Sequence, residues 1–302
     1  MLLKFDFNRF LNMFSRKEGK PNGIELPQGS PFSLSEDGKS ILFGRYPQTL
    51  KADHEKISPT PNADGFYTLS NGTPVERFVV TNDVTLDGGR KLKAGDSYYF
   101  KLDPVEWEIL SSGGNEAFLI SKLILDAKAF NDADTKIGER KDSNGYEMRM
   151  TYSELGVIPA NNWEVSTLRE WLNWDFKSIC FNEEELERLL TIERGDSVVK
   201  GETYSDDVTL LSIEEAQDSA YGFKSADVKD AKRSISCTDF SRANGLETAE
   251  VSRSIKGVWW LRSAGFTTYN ASRVYFDGYL NESGKRTDNK GFGVRPVIKV
   301  RF

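Results

Sequence analysis

Two cysteines, Cys180 and Cys237, and one histidine, His54, are all that 302 residues offer for thiolate or imidazole chemistry. With no CxxC and no Cys/His ligand spacing, a disulfide scaffold and a zinc site are both excluded, and a reducing compartment is the easier reading. A Ser/His or Cys/His catalytic pair would depend on His54, which lies in the polar stretch Lys51–Lys56 and reads as a solvated loop residue. Long apolar runs are also missing. No window approaches the roughly 18 consecutive apolar residues of a membrane-spanning helix, so no membrane span is expected. The apolar start is broken by Lys4, Asp6 and Arg9 and lacks the uninterrupted core of an export signal. A soluble, cytoplasmic protein is the default expectation, with delivery by a phage particle or a specialised secretion system left open.

Dense basic runs are absent too. Forty Lys+Arg against 46 Asp+Glu leave a net charge of -6, and nucleic acid is not an expected partner. The glycine pairs in Asp87–Arg90 and Ser112–Asn115 read as hairpin turns rather than phosphate loops, because neither leads into a helical pattern. The acidic groups Asp132/Asp134, Asp206/Asp207 and Glu183–Glu185 lack the spaced ligand ladder of a calcium loop. No metal and no cofactor is expected.

What is present divides into two parts. Residues 1–39 form an apolar segment followed by a Gly/Pro/Ser-rich linker, with Leu2, Leu3, Phe5, Phe7, Phe10, Leu11, Met13 and Phe14 crowding its start. This segment reads as a membrane-surface helix or as a docking or oligomerisation element through residues 1–20. Few basic residues and the presence of Asp6 favour docking. Residues 40–302 read as one α+β domain. Strand-like runs such as ILFGRY, SYYFKL, VEWEIL and AFLISKLIL alternate with turn clusters up to Leu123, and a polar excursion covers about 126–160. Two or three helices follow in mid-chain. Ser166 caps a run with Leu168, Trp171, Leu172, Phe176 and Ile179 at helical spacing; Asn182 and Glu185 open a second through Leu186, Leu189 and Leu190; Ser212 and Glu215 open a third. Short strands then return in VWWLRS, SRVYFDGYL and GVRPVIKV.

Eight strings stand in a telling order: FGRYPQ, VEWEIL, LISKLILDAKAFN, WEVSTLREWLNWDF, FNEEELERLL, DVTLLSIEEA, WWLRSAG and GFGVRPVIKV. From about Ser40 to Phe302 this order resembles an uncharacterised bacterial and phage domain of the formylglycine-generating-enzyme branch of the C-type lectin fold. The resemblance implies a C-type lectin-like fold of short mixed or antiparallel strands with two or three mid-chain helices. One branch is an oxidase whose catalytic cysteines lie near the C-terminus, but Trp259–Phe302 contains no cysteine, so no catalytic residue is assigned. The Pro-containing calcium motifs of the sugar-binding relatives are absent as well.

The other branch comprises the variable proteins of diversity-generating retroelements, which display a diversified C-terminal patch. The stretch Phe266–Lys290 is mostly Asn, Ser, Thr, Tyr, Asp, Arg and Gly, a composition that resembles a paratope. Period-2 alternation puts Val274 and Phe276 on one face and Arg273, Tyr275, Asp277 and Tyr279 on the other, toward ligand. Tyr269, Asn270, Asn281, Ser283, Arg286, Asp288 and Asn289 are placed in adjoining loops. Trp107, Trp163, Trp171, Trp259 and Trp260 sit inside apolar patterns and read as core; Arg169, Arg262 and Arg295 read as buried hydrogen-bond donors. The expected function is a non-enzymatic, receptor-like protein that binds a protein or carbohydrate ligand. Two alternatives are a degenerate oxidase, which would gather Cys180, Cys237 and His54 in one pocket, and a phage-derived structural or assembly protein.

Overall fold

The computed structural model describes Leu26 and residues 29–132, 137–141, 147–153, 156–197 and 201–302. The expected segment 1–20 lies outside the described residues. What is described is a mixed α and β fold, rich in strands, with short helices.

The longest strand, Ser97–Gly113, organises the larger sheet. It pairs antiparallel with Ile41–Leu50 and Pro74–Val79 and turns through Gly114 and Asn115 into Glu116–Ser121. Gly114 takes a φ of 60°, the left-handed conformation that a tight two-residue hairpin requires. The C-terminal strand Val297–Arg301 lies between Glu116–Ser121 and the edge strand Leu189–Leu190 and also pairs with Val208–Thr209. A second, five-stranded sheet runs Leu280–Arg286, Asn270–Val274, Trp259–Ala264, Gly293–Val294, Asp126–Ala127. Its pairs are antiparallel except Trp259–Ala264 with Gly293–Val294.

The central strands of both sheets are covered on both faces. In the run Val258–Leu261, Val258 and Trp260 enter one apolar cluster while Trp259 and Leu261 enter another. Leu119 and Ile120 divide in the same way, as do Ile298 and Val297. Side chains that alternate across a strand can all be apolar only when each face meets a core, so these strands read as near-continuous hydrophobic runs.

The structure corrects several expectations. The body begins before Ser40: Ser33–Leu34 pairs with Ile41–Leu50, and Phe32 stacks on Phe43 with ring centroids 4.3 Å apart. The polar excursion does not start at 126, because Asp126–Asn131 is almost wholly buried and runs along the second sheet. Further on, the backbone forms an antiparallel meander of Ile137–Lys141, Glu147–Ser153 and Gly156–Pro159.

Of the three expected helices, the first begins as predicted. The Ser166 Oγ accepts from the Arg169 N–H at 3.2 Å, the bond expected of an N-cap. A π-turn at Leu172–Phe176 then adds a residue to the repeat, so Leu172, Phe176 and Cys180 are buried while Ile179 is exposed. The second helix has its capping box, Asn182 with Glu185, but spans only Glu183–Leu186, because Leu189–Leu190 pairs with the C-terminal strand. The third is a single 3₁₀ turn, Glu215–Gln217.

Candidate functional site

A groove of about 690 Å³ opens where the second sheet meets the first helix. Its floor is Ala127, Lys128 and Ala129, at and beyond the edge of that sheet. This backbone is fixed by the Lys128 N–H donating to the Phe292 carbonyl at 3.0 Å and the Trp260 Nε1 donating to the Lys128 carbonyl at 2.8 Å. One wall is the helix Thr167–Trp171, held against the floor by the Leu168 N–H to the Phe130 carbonyl and by the Asp132 N–H to Thr167 Oγ1 at 2.9 Å. Facing walls come from Thr81 and Asn82, from Asn244 and Gly245 at the end of the helix Asp239–Ala243, and from Lys290 and Gly291.

Behind the floor sits Asp126, 2 % exposed. It accepts from the Tyr46 hydroxyl at 2.6 Å and from Asn244 Nδ2 at 2.7 Å, and the Lys128 ammonium lies 3.8 Å away. Burial, reinforced by the adjacent Asp126 charge, pushes the Tyr46 hydroxyl well above the ordinary tyrosine range, so it stays a donor. These bonds lock Asn244 against the floor.

The polar equipment of the groove is two lysines, the Asp132 carboxylate and several hydrogen-bonding groups. Lys128 Nζ stands 4.4 Å from the centroid of the Trp171 ring, a cation–π contact on a half-buried aromatic. Lys290 Nζ pairs with Asp132 Oδ2 at 3.3 Å. Thr81, Asn82, Thr167 and Asn244 add hydroxyls and amides. A concave site with an aromatic plane and a few convergent polar groups is suited to holding a polar ligand in one orientation.

The residues expected to contact ligand are not gathered on one face. Arg273 is 8 % exposed, its guanidinium 4.5 Å from the Tyr275 ring centroid and 4.7 Å from that of Phe292, and its Nη2 donates to the Tyr275 hydroxyl at 2.8 Å. Tyr275 is half-buried. The expected alternation fails because Asn270–Val274 is an interior strand: Ala271 packs in one apolar cluster and Val274 in the other, and a bulge interrupts the register between Ala271 and Arg273. Tyr269 and Asn270 are half-buried, with the Asn270 carbonyl accepting from Gly265 and Asn161. Asp277 belongs to a turn, accepting from the Tyr279 N–H and pairing with Lys229 at 2.8 Å. Asn281 accepts from the Gly284 N–H, while Ser283 and Tyr279 are exposed. Arg286 and Asp288 form a two-point pair, and Asn289 accepts from the Gly291 N–H at 2.8 Å. Of the expected set, Asp288 and Asn289 belong to the loop that carries Lys290 and Gly291 into the groove, and Arg286 ends the strand before it. Tyr275–Tyr279 forms the turn at the other end of the hairpin.

Lys128, Trp171, Asn244 and Asn82 were missed in sequence. The visible signal was the charged pair Asp126 and Lys128 set among the apolar residues of LDAKAF. Trp171, read as core, packs one side on Phe176 at 5.6 Å and gives the rest to the groove. Trp107, Trp163, Trp259 and Trp260 are core as expected. Arg295 is fully buried and donates to the Ser121 carbonyl at 2.9 Å.

The residues of the oxidase alternative are dispersed. Cys180 is in one apolar cluster, Cys237 packs against the other, and His54 is exposed. Burial pushes the Cys180 thiol well up and the Cys237 thiol up to about 12. Among the described residues no group of three His, Cys, Asp or Glu side chains is placed to hold a metal, and no helix is long and apolar enough to cross a membrane. Asp206 accepts from Trp163 and Arg169, and Asp207 pairs with Lys177. A family model, described as a domain of unknown function (DUF6273), matches residues 115–302. No curated protein and no solved structure matches the chain.

Proposed function

We propose that this chain, which belongs to the DUF6273 family, is a binding protein for a polar ligand, seated between the Lys128 floor and the Trp171 helix. The observation that carries the reading is the groove itself. Its volume of about 690 Å³ lies in the range of small-ligand pockets, about 300–1,000 Å³, and its walls bring together an aromatic ring, two ammonium groups, the Asp132 carboxylate and several amides and hydroxyls. A saccharide or a polar peptide side chain matches this equipment: the ring accepts an apolar face, and the ammoniums, amides and hydroxyls accept or donate around it. Arg286, Asp288 and Asn289 extend the site as its rim.

The frame we propose for this site is the C-type lectin-like fold that the ordered strings resemble. The presence of two sheets sharing two apolar cores, with short helices between them, supports that reading.

The test is a screen of the full chain against glycans and polar fragments by saturation-transfer NMR, followed by titration of any ligand found against Trp171→Ala and Lys128→Met. Loss of at least tenfold in affinity in either variant is expected. Ligands that bind both variants as tightly as the parent would place binding elsewhere and refute the proposal.

A further inference from the structure

Away from the groove, three arginines and two carboxylates form a chain of contacts between the first helix and the Trp259–Ala264 strand. Asp206, with a fully buried side chain, accepts from Arg169 Nε at 2.5 Å and from Trp163 Nε1 at 2.9 Å. Arg169 is otherwise satisfied, donating to the Glu164 carbonyl at 3.0 Å and the Ser205 carbonyl at 2.8 Å. Arg194, on the strand Ile192–Asp196, brings its Nε to 3.2 Å from Asp206 Oδ2 and its Nη1 to 3.7 Å from Glu215 Oε1. Arg262 Nη2 reaches the same Glu215 oxygen at 3.1 Å. The other Glu215 oxygen accepts from the Ser212 N–H at 2.8 Å.

Two features of this cluster do not balance. First, the described carboxylates within ion-pair reach of the three guanidiniums are Asp206 and Glu215, leaving one positive charge over. Arg169 and Arg194 share the charge of Asp206, and Arg194 and Arg262 share that of Glu215. Second, Arg194 Nε and Nη2 and Arg262 Nη1 are buried without an aligned hydrogen-bond acceptor. The Arg194 side chain is only 5 % exposed. Buried donors are nearly always satisfied, and each one left unmade costs roughly 1–3 kcal/mol. Nε and Nη2 form the side edge of a guanidinium, the edge that grips a carboxylate or phosphate with two parallel bonds. Arg262 and Glu215, 17 % and 23 % exposed, leave the cluster open to solvent on one side.

We infer that Arg194 and Arg262 form a binding site for a small oxyanion, a phosphoryl or carboxylate group, that supplies the missing negative charge and accepts from the unpaired guanidinium donors. Burial, followed by the neighbouring Arg262 charge, lowers the Arg194 pKa, as two like charges sharing one counter-charge require. The site is separate from the groove and stands whether or not the groove binds ligand.

Thermal melting of the full chain at fixed ionic strength tests the inference, with inorganic phosphate and acetate in separate arms and chloride as the reference salt. A saturable rise in melting temperature with phosphate, acetate or both is expected, and the stronger arm identifies the preferred oxyanion. Arg262→Gln should weaken the response at least tenfold. Arg262→Lys, which keeps the charge but loses the fork, should fall between Arg262→Gln and the parent. Lys290→Ala should leave the response unchanged. A response no larger than that to chloride overturns the site, as does one that survives Arg262→Gln. One lost in Lys290→Ala and kept in Arg262→Gln assigns the anion to the groove instead.

Discussion

Arg273 and Cys237 show how burial decides what a reactive-looking side chain does. Arg273 sits between two aromatic rings in a strand covered on both faces, so a residue expected to meet ligand instead braces the hairpin. Cys237 is held as a neutral thiol, its pKa raised from 9.0 to about 12 by burial. The unfolded chain loses that proton near pH 9 while the native chain keeps it. Stability from this thiol is therefore complete below about pH 9 and lost as pH rises toward about 12, by at most about 1.4 kcal/mol per pH unit. Iodoacetamide should accordingly alkylate Cys237 at least tenfold more slowly in the native chain than in urea at about pH 8.5, read by mass spectrometry of the peptide. Equal rates would show an accessible thiolate.

At the scale of elements, the mid-chain helix carries the sharpest contrast between neighbours. The π-turn Leu172–Phe176 directs Phe176 into the rings of Tyr46 and Trp171, at 4.9 and 5.6 Å, and leaves Trp174 70 % exposed. Phe176→Ala should lower the unfolding free energy by about 4 kcal/mol, and Trp174→Ser should change it by less than about 0.5 kcal/mol, both measured by urea denaturation. Comparable losses in the two variants would contradict the register. Ser166 and the Asn182/Glu185 pair were legible in sequence because a cap is a local event, completed within three residues. The π-turn was not, since an inserted residue shifts the repeat without any residue type that marks it, and Ile179 was placed inside on an unbroken 3.6-residue spacing. Leu189 and Leu190 were read as helix for a related reason. Their partner is the C-terminal strand, more than a hundred residues away, and local pattern carries no trace of it.

In the whole molecule, two sheets divide their apolar side chains between two shared cores, and the groove lies where the edge of one sheet meets a helix and three loops. The strand-rich α+β character was legible because the apolar runs and the Gly/Asn turns between them are properties of sequence alone. The groove was much less so. Lys128, Trp171, Asn244 and Lys290 come from four separate stretches, and of these Lys128, with its neighbour Asp126, stood out in its own context. The paratope-like stretch drew the expectation toward one hairpin, whereas the structure uses its interior strand as scaffold and brings only the loop after Arg286 to the groove. Whether this groove receives a ligand is read by mapping amide chemical-shift changes across the full chain as a screened ligand is titrated in. Saturable shifts concentrated at Lys128, Trp171 and its indole N–H, Asn244 and Gly291 are expected. Shifts confined to other surfaces, with these amides unmoved at saturation, would contradict binding in the groove.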